Sequence, residues 1–201
     1  MKYSIVWALI LLNIPSVFCQ KDLVDVSTLV SEFDYEIRYA TAQNFMEEPL
    51  YDCAKCLLRP EVAAALLKAN QFFCEKGYKI KLFDCYRPLE VQKKMWGKVP
   101  NAAYVANPYN GASIHNRGAA VDLTLVTLEG CPLDMGTDYD FFGRKAHIDH
   151  TKLPEAVLQN RKLLLEGMQK FGFQPIRTEW WHFSFQKNYQ YPILNTPLPC
   201  D

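Results

Sequence analysis

The sequence predicts one globular domain that mixes helices with strands, and three observations carry that expectation. Its 201 residues suffice for a single domain with a real core and are too few for two comfortable ones. Two helix-length amphipathic stretches, 60–77 and 154–172, each open on a proline and stop at a glycine. Shorter alternating apolar runs follow them or lie between them, ending near residues 87, 125 and 185.

Composition narrows the class. Apolar residues make up 49% and aromatics 13%, which fits a packed protein and not a disordered one. Lys+Arg and Asp+Glu are 22 each, so no charge excess points to nucleic acid or to an anionic membrane surface. Residues 1–19 read as a secretory signal: Lys2, an apolar run from Ile5 to Leu12, Pro15, and a cut after Cys19, leaving 20–201 as the working domain. That run is too short to span a bilayer. Periplasmic or secreted protein is the expectation, with a lipoprotein anchored at Cys19 as the alternative.

Export would leave Cys53, Cys56, Cys74, Cys85, Cys131 and Cys200 in an oxidising compartment. Six cysteines allow 15 pairings, and spacing does not choose among them. Cys53-Ala54-Lys55-Cys56 has half the spacing of a zinc knuckle, but no second such pair exists, so disulfides or free thiols are expected.

Along the chain, Tyr35 to Tyr39 alternates like a strand, and a loop through Phe45 follows. Pro60 opens a helix whose Val62, Leu66 and Phe73 share a face; Gly77 stops it. Tyr78 to Arg87 reads as a strand, with Ile80 and Leu82 on one side. Pro88 turns the chain and leaves Arg87 at a strand end. Leu89 to Trp96 is a short helix. In the strand that begins at Ala120, Val121, Leu123 and Leu125 cover the core, so Asp122 faces the other way. Pro154 starts the second long helix, with Leu158, Leu165 and Met168 on one stripe. Ile176 to Phe185 reads as one aromatic strand, and the tail from Tyr191, with three prolines, as a surface wrap.

The chemistry concentrates in two stretches. His115 lies in a polar loop seven residues before Asp122, and a buried carboxylate needs a partner or a metal. His182 supplies a third ligand of the kind catalytic zinc uses, and Glu179 lies three residues before it. A Glu beside such a site is the general base of metal-assisted hydrolysis. An ideal strand would point 179 and 182 to opposite faces, so both reach one site only through a bend or bulge. Spacing alone leaves other readings open. Asp122 reads equally as an ion-pair partner of Arg87 or Arg117, the two Trp as core, and His147-Ile148-Asp149-His150 as a competing cluster.

Ser113-x-His115-x-x-Gly118-x-Ala120-x-Asp122 with Glu179-x-x-His182 resembles the metal and base motifs of the zinc D-alanyl-D-alanine peptidases. Tyr39-Ala40-Thr41, Asn44-Phe45, Asp84-x-Tyr86-Arg87-Pro88, Met135-Gly136, Asp140-Phe141 and Glu179-Trp180-Trp181-His182 narrow the resemblance to the VanX-type D-Ala-D-Ala dipeptidases. It covers nearly all of the chain after the signal. The resemblance implies an α+β domain of the Hedgehog and D,D-peptidase type, a central antiparallel sheet packed with helices. It implies one Zn²⁺ held by His115, Asp122 and His182, with Glu179 as general base and then acid. Arg87 would stabilise the developing oxyanion. Asp140 would hold the free amino group of a small dipeptide, with Ser113 nearby, and Tyr39, Phe45 and the two Trp would wall the pocket. A D,D-carboxypeptidase, a peptidoglycan endopeptidase and a non-catalytic zinc module of the same fold are the alternatives. Ile114 departs from the family type, which carries a second Ser there; this bears on the exact substrate.

Overall fold

A computed structural model describes residues 23–29, 32–186 and 188–200. The expected signal and Cys19 lie outside those residues. The elements run β1 (Val24–Asp25), β2 (Asp34–Tyr35), β3 (Leu57–Leu58), α1 (Pro60–Cys74), β4 (Tyr78–Asp84), α2 (Leu89–Lys98), β5 (Ala120–Thr127), α3 (Glu155–Lys170), β6 (Phe173–Ile176) and β7 (Glu179–Phe185). β1 and β3 pair in a small antiparallel ladder. The main sheet has the order β2-β4-β5-β7-β6.

The α+β class holds, with one change to the expected antiparallel sheet: its edge pair β2–β4 is parallel, while β4–β5, β5–β7 and β6–β7 are antiparallel. Two of the expected strands also break differently. Tyr35 to Tyr39 keeps only its first residue in a strand, because Arg38–Ala40 winds into a 3₁₀ turn. Ile176 to Phe185 is the end of one strand and the whole of the next, joined across Arg177 and Thr178.

The apolar face of β4 and β5 carries Ile80, Leu82, Val121, Leu123 and Leu125, all fully buried. They share one core with Val62, Leu66 and Phe73 of α1 and Leu164 and Met168 of α3. Gly167 of α3 permits the helices to approach: a Cβ there would lie 2.3 Å from the Phe73 ring.

The other face is set by two irregularities. Leu82 pairs with Leu123 but Asp84 pairs with Asp122, so β4 carries an extra residue at Phe83. This bulge turns Asp84 to the face of Asp122 instead of that of Leu82. In β7, Phe183 pairs with Pro175 while Glu179 pairs with Ile176, so Trp180, Trp181 and His182 bow out together. That is the bend the Glu179–His182 spacing requires. Since Asp122 also pairs with His182, Asp84, Asp122 and His182 form a row across three strands.

The tail wraps the surface as expected. Leu194 donates its N–H to the Asn116 carbonyl, and Tyr86 donates its hydroxyl to the Thr196 carbonyl. Cys200 is bonded to Cys53, and Cys56 to Cys85. The two cysteines of the short motif therefore go to different partners, and Cys74 and Cys131 are free thiols.

Candidate metal centre and active site

A 3₁₀ turn, Ile114–Arg117, presents His115. Ser113 caps it by accepting from the His115 N–H, and Asn116 closes the box by accepting from the Ser113 N–H. Gly118 ends it at φ +66°, where a Cβ would meet Leu23 at 2.4 Å, so the turn-to-strand junction requires glycine. β5 then delivers Asp122 and β7 delivers His182 beside it.

The three ligand atoms converge. His115 Nε2 lies 3.1 Å from His182 Nδ1 and 3.3 Å from Asp122 Oδ1, and the last two are 3.0 Å apart. Donors around a tetrahedral zinc, each at roughly 2.0–2.1 Å, stand about 3.3 Å from one another, so the set is close to metal-ready. The outward atom of each ligand is already engaged. His115 Nδ1 donates to the Cys85 carbonyl at 2.6 Å. Tyr139 donates its hydroxyl to Asp122 Oδ2 at 3.0 Å. His182 Nε2 sits 2.9 Å from Ser184 Oγ, which leaves Nδ1 as the inward acceptor. Three inward lone pairs with held outer atoms are what a cation requires, and His115, Asp122 and His182 are all buried. Burial works against a proton on His115, but the Asp122 carboxylate outweighs it and raises the imidazole above its usual range. Asp122 shows the converse: burial opposes its charge, yet His115 and His182 hold it well below the carboxylate range.

Glu179 Oε2 lies 3.9 Å from His182 Nδ1, at the wall of the same cavity. Burial pushes its carboxyl up to about 7; Asp122 and Asp140 add to this, and His182 and Arg87 oppose it. Arg87 is fixed on three sides. Its Nε and Nη2 donate to Asp84 at 3.1 and 2.6 Å, and Nη1 donates to Gln92 at 2.7 Å. Its guanidinium also lines the cavity. Asp84 is fully buried and also accepts from the Tyr51 hydroxyl at 2.7 Å.

Asp140 sits opposite. Its backbone is left-handed, at φ +58°, and Tyr39 donates to both its carboxylate oxygens at 3.1 Å. Burial pushes its carboxyl up to about 7, helped by Asp122 and opposed by Arg87 and Tyr39. The cavity, about 230 Å³, is lined by Tyr39, Phe45, Arg87, Ser113, His115, Asp122, Asp140, Glu179, Trp181 and His182 among others. The expected ligands, Glu179, Arg87, Asp140, Ser113, Tyr39 and Phe45 therefore face one space, and of the two expected Trp walls only Trp181 does.

A family model described as D-ala-D-ala dipeptidase matches residues 19–199. The chain belongs to the D-Ala-D-Ala dipeptidase family. The D-alanyl-D-alanine dipeptidase of Escherichia coli (strain K12) is 35% identical to this family member over 179 residues, 89% of this chain and 92% of that protein. Those of Enterococcus faecium and Enterococcus faecalis (strain ATCC 700802 / V583) are 30% identical over 169 residues and 29% identical over 185. They cover 74% and 82% of this chain, and 84% and 88% of their own lengths.

The competing readings resolve in this dipeptidase-family fold. Arg87 pairs with Asp84, and Arg117 donates to the Tyr191 and Gly111 carbonyls, so neither arginine is the partner of Asp122. His147 Nδ1 is occupied by Arg144 and Arg177, and among the described residues no second metal group forms. Trp180 is core, its indole N–H bonded to Thr137, whereas Trp181 is both buried and part of the cavity wall.

Sequence reasoning gave no role to Asp84, Gln92, Tyr139 or Ser184. Ser184 was within reach, since alternation puts it on the His182 face. Asp84 was hidden by the Phe83 bulge. Tyr139 comes from an irregular segment with no periodicity to place it.

Proposed function

We propose that this protein hydrolyses D-alanyl-D-alanine to two molecules of D-Ala, using one Zn²⁺ held by His115, Asp122 and His182. The observation that carries the reading is the placement of Glu179, Arg87 and Asp140 around one small cavity with the three ligands, in a chain of this family. Zinc bound there would act as a Lewis acid on water and on the scissile carbonyl. Glu179 takes the proton of the attacking water and passes it to the leaving nitrogen, so one water is consumed and one C–N bond breaks. A carboxyl that burial holds near neutrality suits both transfers. The Arg87 guanidinium stabilises negative charge on the carbonyl oxygen, and Asp84 and Gln92 keep it aimed.

Asp140 accepts the substrate ammonium, with Ser113 at the same wall. A longer peptide would put an uncharged amide there and would have to fit its extra residues into about 230 Å³. This is the physical basis for preferring a dipeptide to a stem peptide. Two disulfides are consistent with an exported protein, in line with the signal-like residues 1–19 and a periplasmic or secreted location.

The test is a panel of D-Ala-D-Ala, L-Ala-L-Ala and N-acetyl-D-Ala-D-Ala, each with and without a chelator. Only the first should be cleaved, and only with metal. Equal cleavage of the acetylated substrate or of a pentapeptide stem would favour the carboxypeptidase reading. Zinc binding with no turnover of any substrate would favour a non-catalytic module.

A further inference from the structure

The floor of the cavity is polar, but its rim is not. Tyr104 comes from the turn after α2, where its N–H bonds the Asn101 carbonyl. Phe142 comes from the other side, two residues past Asp140. The two rings stack across the mouth, with centroids 4.7 Å apart and planes 20° from parallel. Phe142 also contacts Phe45 at 5.2 Å, and Phe45 meets Tyr39 edge-on at 6.2 Å. Tyr39 donates to Asp140. An unbroken aromatic line thus runs from the outer rim to the carboxylate that faces the substrate.

Tyr104 and Phe142 both line the cavity, yet they are 39% and 38% exposed. Their placement makes sense as a boundary: apolar edges over a polar floor exclude water once a small substrate is inside. They also occupy the space into which a larger side chain or an added residue would extend.

We propose that the Tyr104–Phe142 stack is the specificity-determining element that caps substrate size, admitting two alanine-sized residues and rejecting bulkier dipeptides. The inference rests on the dipeptidase reading of the site. Neither ring reaches the three ligands through any hydrogen bond, so the stack governs which substrate enters and not the chemistry of the floor.

The experiment compares zinc-loaded wild type with Tyr104→Ala, Phe142→Ala and the conservative Tyr104→Phe and Phe142→Leu. kcat/KM is measured for D-Ala-D-Ala, D-Ala-D-Phe and D-Phe-D-Ala, and calorimetric affinity for the same dipeptides with each variant placed in the zinc-loaded Glu179→Gln background, where turnover is suppressed. Both alanine variants should raise at least one bulky-to-small ratio tenfold or more, while Tyr104→Phe, which keeps the stack, stays within threefold of wild type. Phe142→Leu should fall between. Ratios within threefold of wild type in both alanine variants would overturn the proposal. Failure of the underlying reading looks different: wild type would not hydrolyse D-Ala-D-Ala at all. The affinity ratios report the size limit independently of turnover.

Discussion

Glu179 and Asp140 are carboxyls whose proton affinity burial raises to about 7, and they line one cavity with Asp122. In the unfolded chain both lose their protons near pH 4; in the fold they do so at about 7. Between those values the metal-free fold binds more protons than the unfolded chain, so its stability falls as pH rises. His115 adds the same sign, because its raised imidazole loses a favourable charge interaction as pH rises through its folded value. Zinc must displace that proton, so metal affinity climbs with pH. From about pH 5 to about pH 8 the Tm of the metal-free protein should fall, while the increment in Tm on adding zinc should grow; a flat increment would contradict this picture. Glu179→Gln removes the base and keeps the shape. It should lower kcat by roughly 10²–10⁴-fold with zinc content unchanged. If the bound metal is lost instead, Glu179 is a ligand and its role as base is wrong.

At the scale of elements, α1 and α3 hold the sheet through a close contact at Gly167. Gly167→Ala gains about 1 kcal/mol of helix propensity, but the new methyl meets a fully buried Phe73 ring backed by Phe72. Overpacking of this kind costs about 1–3 kcal/mol, so the net effect should be destabilising. Denaturant unfolding should show a lower midpoint, with activity per folded molecule unchanged. The long helices were legible because Pro60 and Pro154 open them, and Gly77 and Gly172 stand just beyond their last residues. The strand carrying Asp122 was legible because Val121, Leu123 and Leu125 alternate. The hairpin at Arg177 and Thr178 was not, because Ile176 continues the apolar pattern of β7 and a two-residue turn carries no Gly, Pro or Asn to break it. Nor was the Phe83 bulge, since an extra strand residue changes pairing without changing composition.

At the scale of the molecule, the segment of Cys53 and Cys56 is tied to the tail and to the end of β4 by covalent bonds that spacing left open. Cys53 and Cys200 are 147 residues apart, and loop entropy for such a closure sets an upper figure of about 5 kcal/mol. Cys53→Ser with Cys200→Ser should cost roughly 2–4 kcal/mol of stability. Zinc content should be unaffected, because neither cysteine belongs to the ligand group or lines the cavity. An unchanged unfolding midpoint would show that the hydrogen bonds of the tail already hold it. The metal site itself was readable from motifs 60 residues apart, but its outer partners were not. Tyr139, Ser184 and the Cys85 carbonyl meet the ligands only once the chain is folded.

The row of Asp84, Asp122 and His182 across β4, β5 and β7 has a consequence for folding fidelity. A slip of one residue in the β5–β7 pairing would send Asp122 or His182 to the helix-covered face. The ligands would then no longer meet, and a misregistered sheet would have nowhere to put the metal. Metal uptake at the proposed site would thus act as a parity check on strand alignment: the ion would reward only the correctly threaded sheet, and withdrawing it would remove the energetic penalty on the near misses.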